Sequence, residues 1–196
     1  IFFFKFFNFI FLKWKISIQY LSKEDQFKIS DNKRDIIIKH KTYIPLYSEG
    51  INQRLQKLKN EYLFRHFQLD KEDEVIDVGA CVGEVAVILN DEYNCRVHCF
   101  EPEESEFNCL IKNTNNTISK SYNIPLWKEK KEISFYSANE SHDSSGFETE
   151  DYTKIAKKKA DTLNNIFFDY IKKEINIKLL KLEAEGAEPE ILEGAN

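Results

Sequence analysis

The run Val75-Ile-Asp-Val-Gly-Ala-Cys-Val-Gly-Glu84 places Gly79 and Gly83 where an apolar segment gives way to a helical one. Glycines at such a turn let the backbone come close to a ligand, and the N–H groups that open the helix can hydrogen-bond to it. The spacing is GxxxG, not the GxGxxG that seats a pyrophosphate. Asp77, just ahead of the loop, would repel a pyrophosphate and suit a cationic ligand. Further on, Phe100-Glu101-Pro102 sets Glu101 at the end of a second apolar run. That lies about 20 residues beyond the loop, where a doubly wound fold holds an acidic residue against ribose hydroxyls. The plainer alternative is an ordinary turn and a solvated strand end. Taken together, the two features suggest a nucleoside-containing ligand that needs no pyrophosphate, and S-adenosylmethionine fits both.

A third concentration of chemistry is Lys178-Leu-Leu-Lys-Leu-Glu-Ala-Glu-Gly-Ala-Glu188, which leads into Pro189. Glu183, Glu185 and Glu188 crowd one strand end, and their mutual repulsion is expected to raise at least one pKa. A carboxylate so placed can accept the proton of an attacking hydroxyl. Glu188 is better read as favourable charge at a helix N-terminus, which leaves Glu183 and Glu185 as the functional pair.

The elements that must position these groups alternate. Phe27 and Ile29, a polar turn at Asp31-Asn32-Lys33, and Ile36–Ile38 predict a hairpin within a β-rich region, residues 22–47. Ile51, Leu55, Leu58 and Tyr62 share one helical face. Val75–Val78, Arg96–Phe100, Ile118–Leu126 and Ile177–Leu182 read as strands, Val82–Asn90 and Glu103–Lys112 as helices. Ile133–Tyr136 reads as an added hairpin strand. Asp161 or Thr162 caps a helix with Leu163, Ile166, Phe167, Tyr170 and Ile171 on its face. Pro189 and Gly194 bracket the last helix. Strands alternating with helices imply an α/β fold, a parallel sheet with helices on both faces.

With 196 residues, 42% hydrophobic and 31% charged, the chain is long enough to bury a core and is not disordered. A net charge of −5 argues against nucleic acid as a partner. Cys81, Cys95, Cys99 and Cys109 form no CxxC pair, which disfavours zinc and fits reduced thiols in a cytoplasmic setting. Residues 1–12 hold ten apolar residues, seven of them Phe. They are too short for a spanning helix, so residues 1–21 read as an apolar segment that packs on the domain or makes a peripheral membrane contact. The absence of Met and the first residue, Ile1, read as a fragment at both ends.

VIDVGACVGE, HCFEPEESEFNCL, DSSGF, DTL and LLKLEAEGAEPEILEGA resemble, in the same order, the motifs of FkbM-type methyltransferases. The likeness covers roughly Ser48 to the C-terminus, so residues 48–196 are expected to form the methyltransferase domain. It implies a Rossmann-like class I sheet, dependence on S-adenosylmethionine, and methylation of hydroxyls on sugar, glycan or polyketide-type acceptors. By that resemblance Asp77, Gly79, Ala80 and Gly83 line the methionine end of the cofactor, and Glu101 holds the ribose. Asn123 to Leu126 lie by the adenine. Asp143-Ser144-Ser145 and Glu183 to Glu185 face the transfer cleft, with Asp143, Glu183 and Glu185 as catalytic candidates. No metal is required, although Asp143 with Glu183 and Glu185 offers a Mg²⁺ alternative. The sequence departs from the family in carrying Glu183 where Asp is usual. It also ends after the fourth strand, so a C-terminally truncated sheet with one bare edge is expected. Two other functional classes remain: a non-catalytic protein on this fold, and a nicotinamide-dependent oxidoreductase.

Overall fold

The computed structural model describes residues 9–11, 16–138, 144–148, 152–167 and 177–195. It opens with an antiparallel sheet of β1 (Phe9–Phe11), β2 (Ile16–Leu21), β3 (Gln26–Ser30) and β4 (Asp35–Ile38), in that order. Ile16 and Ile18 are buried while Ser17 and Gln19 are exposed, the two-residue alternation of a sheet with one covered face. Asp31 Oδ1 accepts from the backbone N–H groups of Lys33 and Arg34 and fixes the expected turn between β3 and β4. The expected hairpin is present; β2, which lies outside that expectation, pairs with β3 from Ser17 to Leu21.

A 3₁₀ segment, Lys41–Tyr47, leads to α1 (Ile51–Glu61), whose buried Ile51, Leu55 and Leu58 lie on the predicted face, while Tyr62, its fourth member, caps the helix and is partly buried. Next come β5 (Glu74–Val78), α2 (Glu84–Tyr93), β6 (Arg96–Phe100), α3 (Glu104–Asn113) and β7 (Lys120–Tyr122). A hairpin of β8 (Lys131–Ala138) and β9 (Tyr152–Ala160) follows, then a helical turn, α4 (Leu163–Asn165), β10 (Ile177–Leu182) and α5 (Glu188–Glu193). β10, β5, β6 and β7 form one parallel sheet in the order β10-β5-β6-β7. The chain runs from β5 outward through β6 to β7 and returns to the other side of β5 with β10.

Strand alternation divides the core. Val75, Val97, Cys99 and Leu179 face α1, α2, α3 and the antiparallel sheet. Ile76, Val78 and Phe100 face Leu126, Trp127, Ile133, Leu163, Ile166 and Ile191. The first face is thus covered by long helices, the second by the β8–β9 hairpin and short helical segments.

The expected third strand, Ile118–Leu126, shortens to Lys120–Tyr122. Pro125 has no N–H to give a ladder, and Leu126 instead bridges to Asp161. Thr162 is the cap, its Oγ1 accepting from Asn165 N at 3.0 Å. Tyr170 and Ile171 of the expected helix face lie outside the described residues, as does most of the Phe-rich run. Gly194 closes α5 at φ −83°, so it is not a left-handed cap. A Cβ there would collide with the Trp127 carbonyl oxygen, and glycine is needed for that approach. Among the described residues no helix is long and apolar enough to cross a membrane.

Candidate functional site

A cavity of about 280 Å³ opens just past the carboxyl ends of the four parallel strands. Its walls come from Val78–Cys81 after β5, Phe100–Pro102 after β6, Ile124–Trp127 after β7, and Glu183–Glu185 after β10. The crevice next to β5, where the chain order reverses, is where open α/β sheets bind ligands.

The glycine loop is built by backbone geometry. Gly79 and Ala80 both donate to the Phe100 carbonyl at 3.0 Å, and Gly83 N to Ala80 O at 2.8 Å. Gly79 sits at φ +72°, and a Cβ there would collide with the Glu183 carbonyl oxygen. Gly83, at φ +86°, would place a Cβ 2.6 Å from Leu110 Cδ1 of α3. Both glycines therefore serve close backbone and helix packing. Gly79 and Ala80 line the cavity; Gly83 does not.

Glu101 lines the cavity and is 5% exposed. Its Oε2 accepts from Cys81 N at 2.8 Å and its Oε1 from Glu103 N at 2.7 Å. The first bond holds Cys81 in the left-handed region at φ +47°, a conformation that costs a non-glycine residue about 1–3 kcal/mol. Burial, with the Glu106 charge behind it, pushes the Glu101 carboxyl well above the usual range. Each oxygen carries one N–H and keeps acceptor capacity toward the cavity. Asn123 is turned away from the cavity wall: its Nδ2 donates to Glu101 O at 2.8 Å and Pro102 O at 3.1 Å, bracing the end of β6. Leu126 lines the cavity.

Asp77 is fully buried and lies under the loop, outside the cavity wall. Directly across the ladder, Lys181 places Nζ 3.2 Å from Asp77 Oδ1. The same Nζ donates to Gly79 O at 2.8 Å and Val78 O at 3.2 Å, and lies 3.3 Å from Glu183 Oε2. Burial works against the ammonium, but the Asp77 and Glu183 charges outweigh it and raise the Lys181 pKa. Burial likewise pushes Asp77 upward, against the pull of Lys181. A nitrogen that donates to two carbonyls beside two carboxylates is the charged form. Tyr62 donates to Glu183 Oε2, and burial with that bond raises the phenol pKa. Lys181, Glu183 and Tyr62 all line the cavity.

The expected crowding of three carboxylates is relieved. Glu183 pairs as above, and Glu188 Oε1 accepts from Ala184 N at 2.6 Å, closing the turn before α5. Glu185 borders the cavity with φ +50°, and its carbonyl accepts from Ser145 Oγ at 2.8 Å. Asp143 lies outside the described residues, while its neighbours Ser144 and Ser145 line the cavity. On another wall Arg54 grips Glu84 through two 2.9 Å bonds, and Tyr47 donates to the same carboxylate at 2.7 Å.

Sequence reasoning missed Lys181, Tyr62, Arg54 and Trp127, all of which line the cavity. A signal existed for the first: Lys181 is a charge inside an apolar strand, and a buried charge needs a partner. Asp77 supplies it. Cys95, Cys99 and Cys109 are buried thiols outside any disulfide among the described residues; the Cys81 thiol, likewise not in a disulfide, is only partly buried, at the cavity wall.

A family model described as "Methyltransferase FkbM domain" matches residues 77–196. No curated protein matches the chain significantly. Among solved structures, "Methyltransferase FkbM" from Methylobacillus flagellatus KT aligns with a TM-score of 0.49 and 12% identity. The alignment covers 79% of this chain and 38% of that one, so the chain spans well under half the length of that structure.

Proposed function

The chain belongs to the FkbM methyltransferase domain family, and from that premise we propose that it transfers the methyl group of S-adenosylmethionine to a hydroxyl of a small-molecule or glycan acceptor. The carrying observation is the convergence of the glycine loop, Glu101 and Glu183 on one cavity at the carboxyl edge of the parallel sheet. The order β10-β5-β6-β7 supports reading that sheet as Rossmann-like.

The residues fit this cofactor. Glu101 offers buried, backbone-anchored oxygens for a pair of ribose hydroxyls. Ile124 and Leu126 give apolar contact for a flat base beside Pro102. Glu183 brings negative charge to the side where a sulfonium would lie. When bound, S-adenosylmethionine supplies a methyl on a sulfonium that is already a good leaving group. The protein's share is alignment and removal of one proton. Glu183, oriented by Lys181 and Tyr62, is the carboxylate placed to accept that proton, and Glu185 is the second candidate. Asp143 retains the role that the family resemblance assigns it.

Thiols outside any disulfide suit a reducing, cytoplasmic compartment, and the Phe-rich residues 1–12 suit a peripheral membrane contact. Calorimetric titration of the protein with S-adenosylmethionine and with NADH tests the reading. Saturable binding of the first alone, with methyl transfer to a hydroxyl acceptor, is expected. Binding of NADH alone would replace methyl transfer with redox chemistry, and cofactor binding without transfer to any acceptor would favour the non-catalytic class.

A further inference from the structure

A second groove, of about 580 Å³, opens between the β3–β4 turn, the last turn of α2 and the end of α3. It shares no wall residue with the cavity described above. Four cations line it, Lys28, Lys33, Arg34 and Lys112, against two carboxylates, Asp35 and Asp91. Lys28 pairs with Asp35 at 2.6 Å and Arg34 with Asp91 at 2.5 Å. Among the described residues, Lys33 and Lys112 are left with no carboxylate; Lys112 donates only to the neutral Gln26 Oε1. This surplus of two positive charges sits on a chain whose net charge is −5.

Helix C-termini attract cations, but at the end of α3 two of the carbonyls are already satisfied. Leu110 O accepts from Thr114 N at 2.9 Å and Thr114 Oγ1 at 2.8 Å. Thr114 O accepts from Thr117 N and Thr117 Oγ1, both at 2.9 Å. Donors, by contrast, are in excess: Arg34 Nε and Asn90 Nδ2 are buried in the wall and find no acceptor among the described residues. Asn115, Asn116 and Thr117 add neutral polar groups at the rim. With Asp35 and Asp91 each already paired, the wall is left with two unmatched positive charges and two buried donors, and a phosphate dianion supplies negative charge and acceptors in one compact group.

We propose that this groove binds a phosphate group, held by Lys33 and Lys112 and independent of the methyl-transfer cavity. The phosphate can come from a soluble phosphorylated compound or from a lipid headgroup, and the charge chemistry is common to both.

The test is calorimetric titration of the full chain with inorganic pyrophosphate at low ionic strength, alongside flotation with phosphatidic acid vesicles. Saturable binding in either arm is expected. Pyrophosphate binding points to a soluble source, and vesicle binding without pyrophosphate binding to a headgroup. Lys33→Gln, an exposed change in a turn, should weaken whichever is bound about tenfold, and Lys33→Gln/Lys112→Gln about a hundredfold. Should the double variant fold poorly, Lys33→Gln alone decides. Asn113, although on the groove wall, is left intact because it also holds the glycine loop. Absence of saturable binding in both arms, or affinity unchanged by Lys33→Gln, overturns the proposal.

Discussion

Removing the Lys181 ammonium would leave the Asp77 carboxylate fully buried with no cation beside it. Breaking a buried pair from one side costs about 3–5 kcal/mol, whereas replacing both members with neutral groups costs far less. Lys181→Met is therefore expected to lower unfolding stability by about that amount, and Asp77→Asn/Lys181→Met to recover part of it. Urea melts of the three proteins check this, and a Lys181→Met variant as stable as the parent would sink it. Glu101 presents the opposite case, an acid whose folded pKa is raised by burial and by Glu106. Such a group binds its proton more tightly when folded, so its contribution is most favourable at low pH and is lost as pH rises through the folded pKa. The stability of Glu101→Gln relative to the parent should thus rise from pH 5 toward pH 8, above a pH-independent loss set by the amide NH2, which faces one of the two backbone N–H donors. Affinity for S-adenosylmethionine should fall by about 1.5–3 kcal/mol, because a charged acceptor is lost. Thermal melts across that range with calorimetric titration read both. Intact affinity with reduced turnover would make Glu101 a catalytic group instead.

Within the β5–α2 connection, the two glycines meet different obstacles, and this separates their variants. A methyl on Gly79 meets a backbone oxygen at the start of the β10–α5 turn, which cannot move without displacing the strand end. A methyl on Gly83 meets Leu110 Cδ1 at 2.6 Å, the far end of a side chain. Both carry the left-handed backbone penalty of about 1–3 kcal/mol. Gly79→Ala is expected to be the more damaging, and Gly83→Ala to be partly relieved when combined with Leu110→Ala, as read from chemical denaturation of all four variants. Equal losses, with no relief in the double variant, would count against this account. The same elements explain what the sequence disclosed. β5, β6 and β10 were legible because their apolar runs end at Gly79, Glu101 and Glu183, where the chain must turn. β9 was not: Tyr152–Ala160 is rich in lysine, and its inner face is marked by little more than Ala156 and Ala160. β7 was overread because Ile124 and Leu126 continue the apolar pattern after Asn123 and Pro125 have ended the ladder.

Across the whole molecule, the antiparallel sheet and the parallel sheet share one core, from Ile16 and Ile29 through Leu55 to Leu110. Polar clamps reinforce the joint. Tyr43 donates to Glu106 at 2.7 Å, and Tyr47 to Glu84 at 2.7 Å. Asn113 spans three elements at once: its Oδ1 accepts from Ile37 N at 2.7 Å, and its Nδ2 donates to Ile37 O and Val82 O, both at 2.8 Å. Nothing in the sequence marks this role, because Asn113 reads only as the end of a helix and its partners are distant in the chain. Asn113→Ala would strand three backbone groups, two on β4 and one inside the glycine loop. Each such group left without a partner costs up to about 1–3 kcal/mol, the full amount only where water cannot reach it. The variant should therefore lose stability globally and also lose local order at both sites together. Amide hydrogen exchange should show protection falling at Ile37 and through the glycine loop, with β8 amides such as Ile133 changing only as far as global stability changes. Affinity for S-adenosylmethionine should weaken in parallel, because Val82 follows the cavity-lining residues Gly79, Ala80 and Cys81. If protection falls at Ile37 while the loop and the cofactor affinity are untouched, the antiparallel sheet is a separable attachment and not a support of the site.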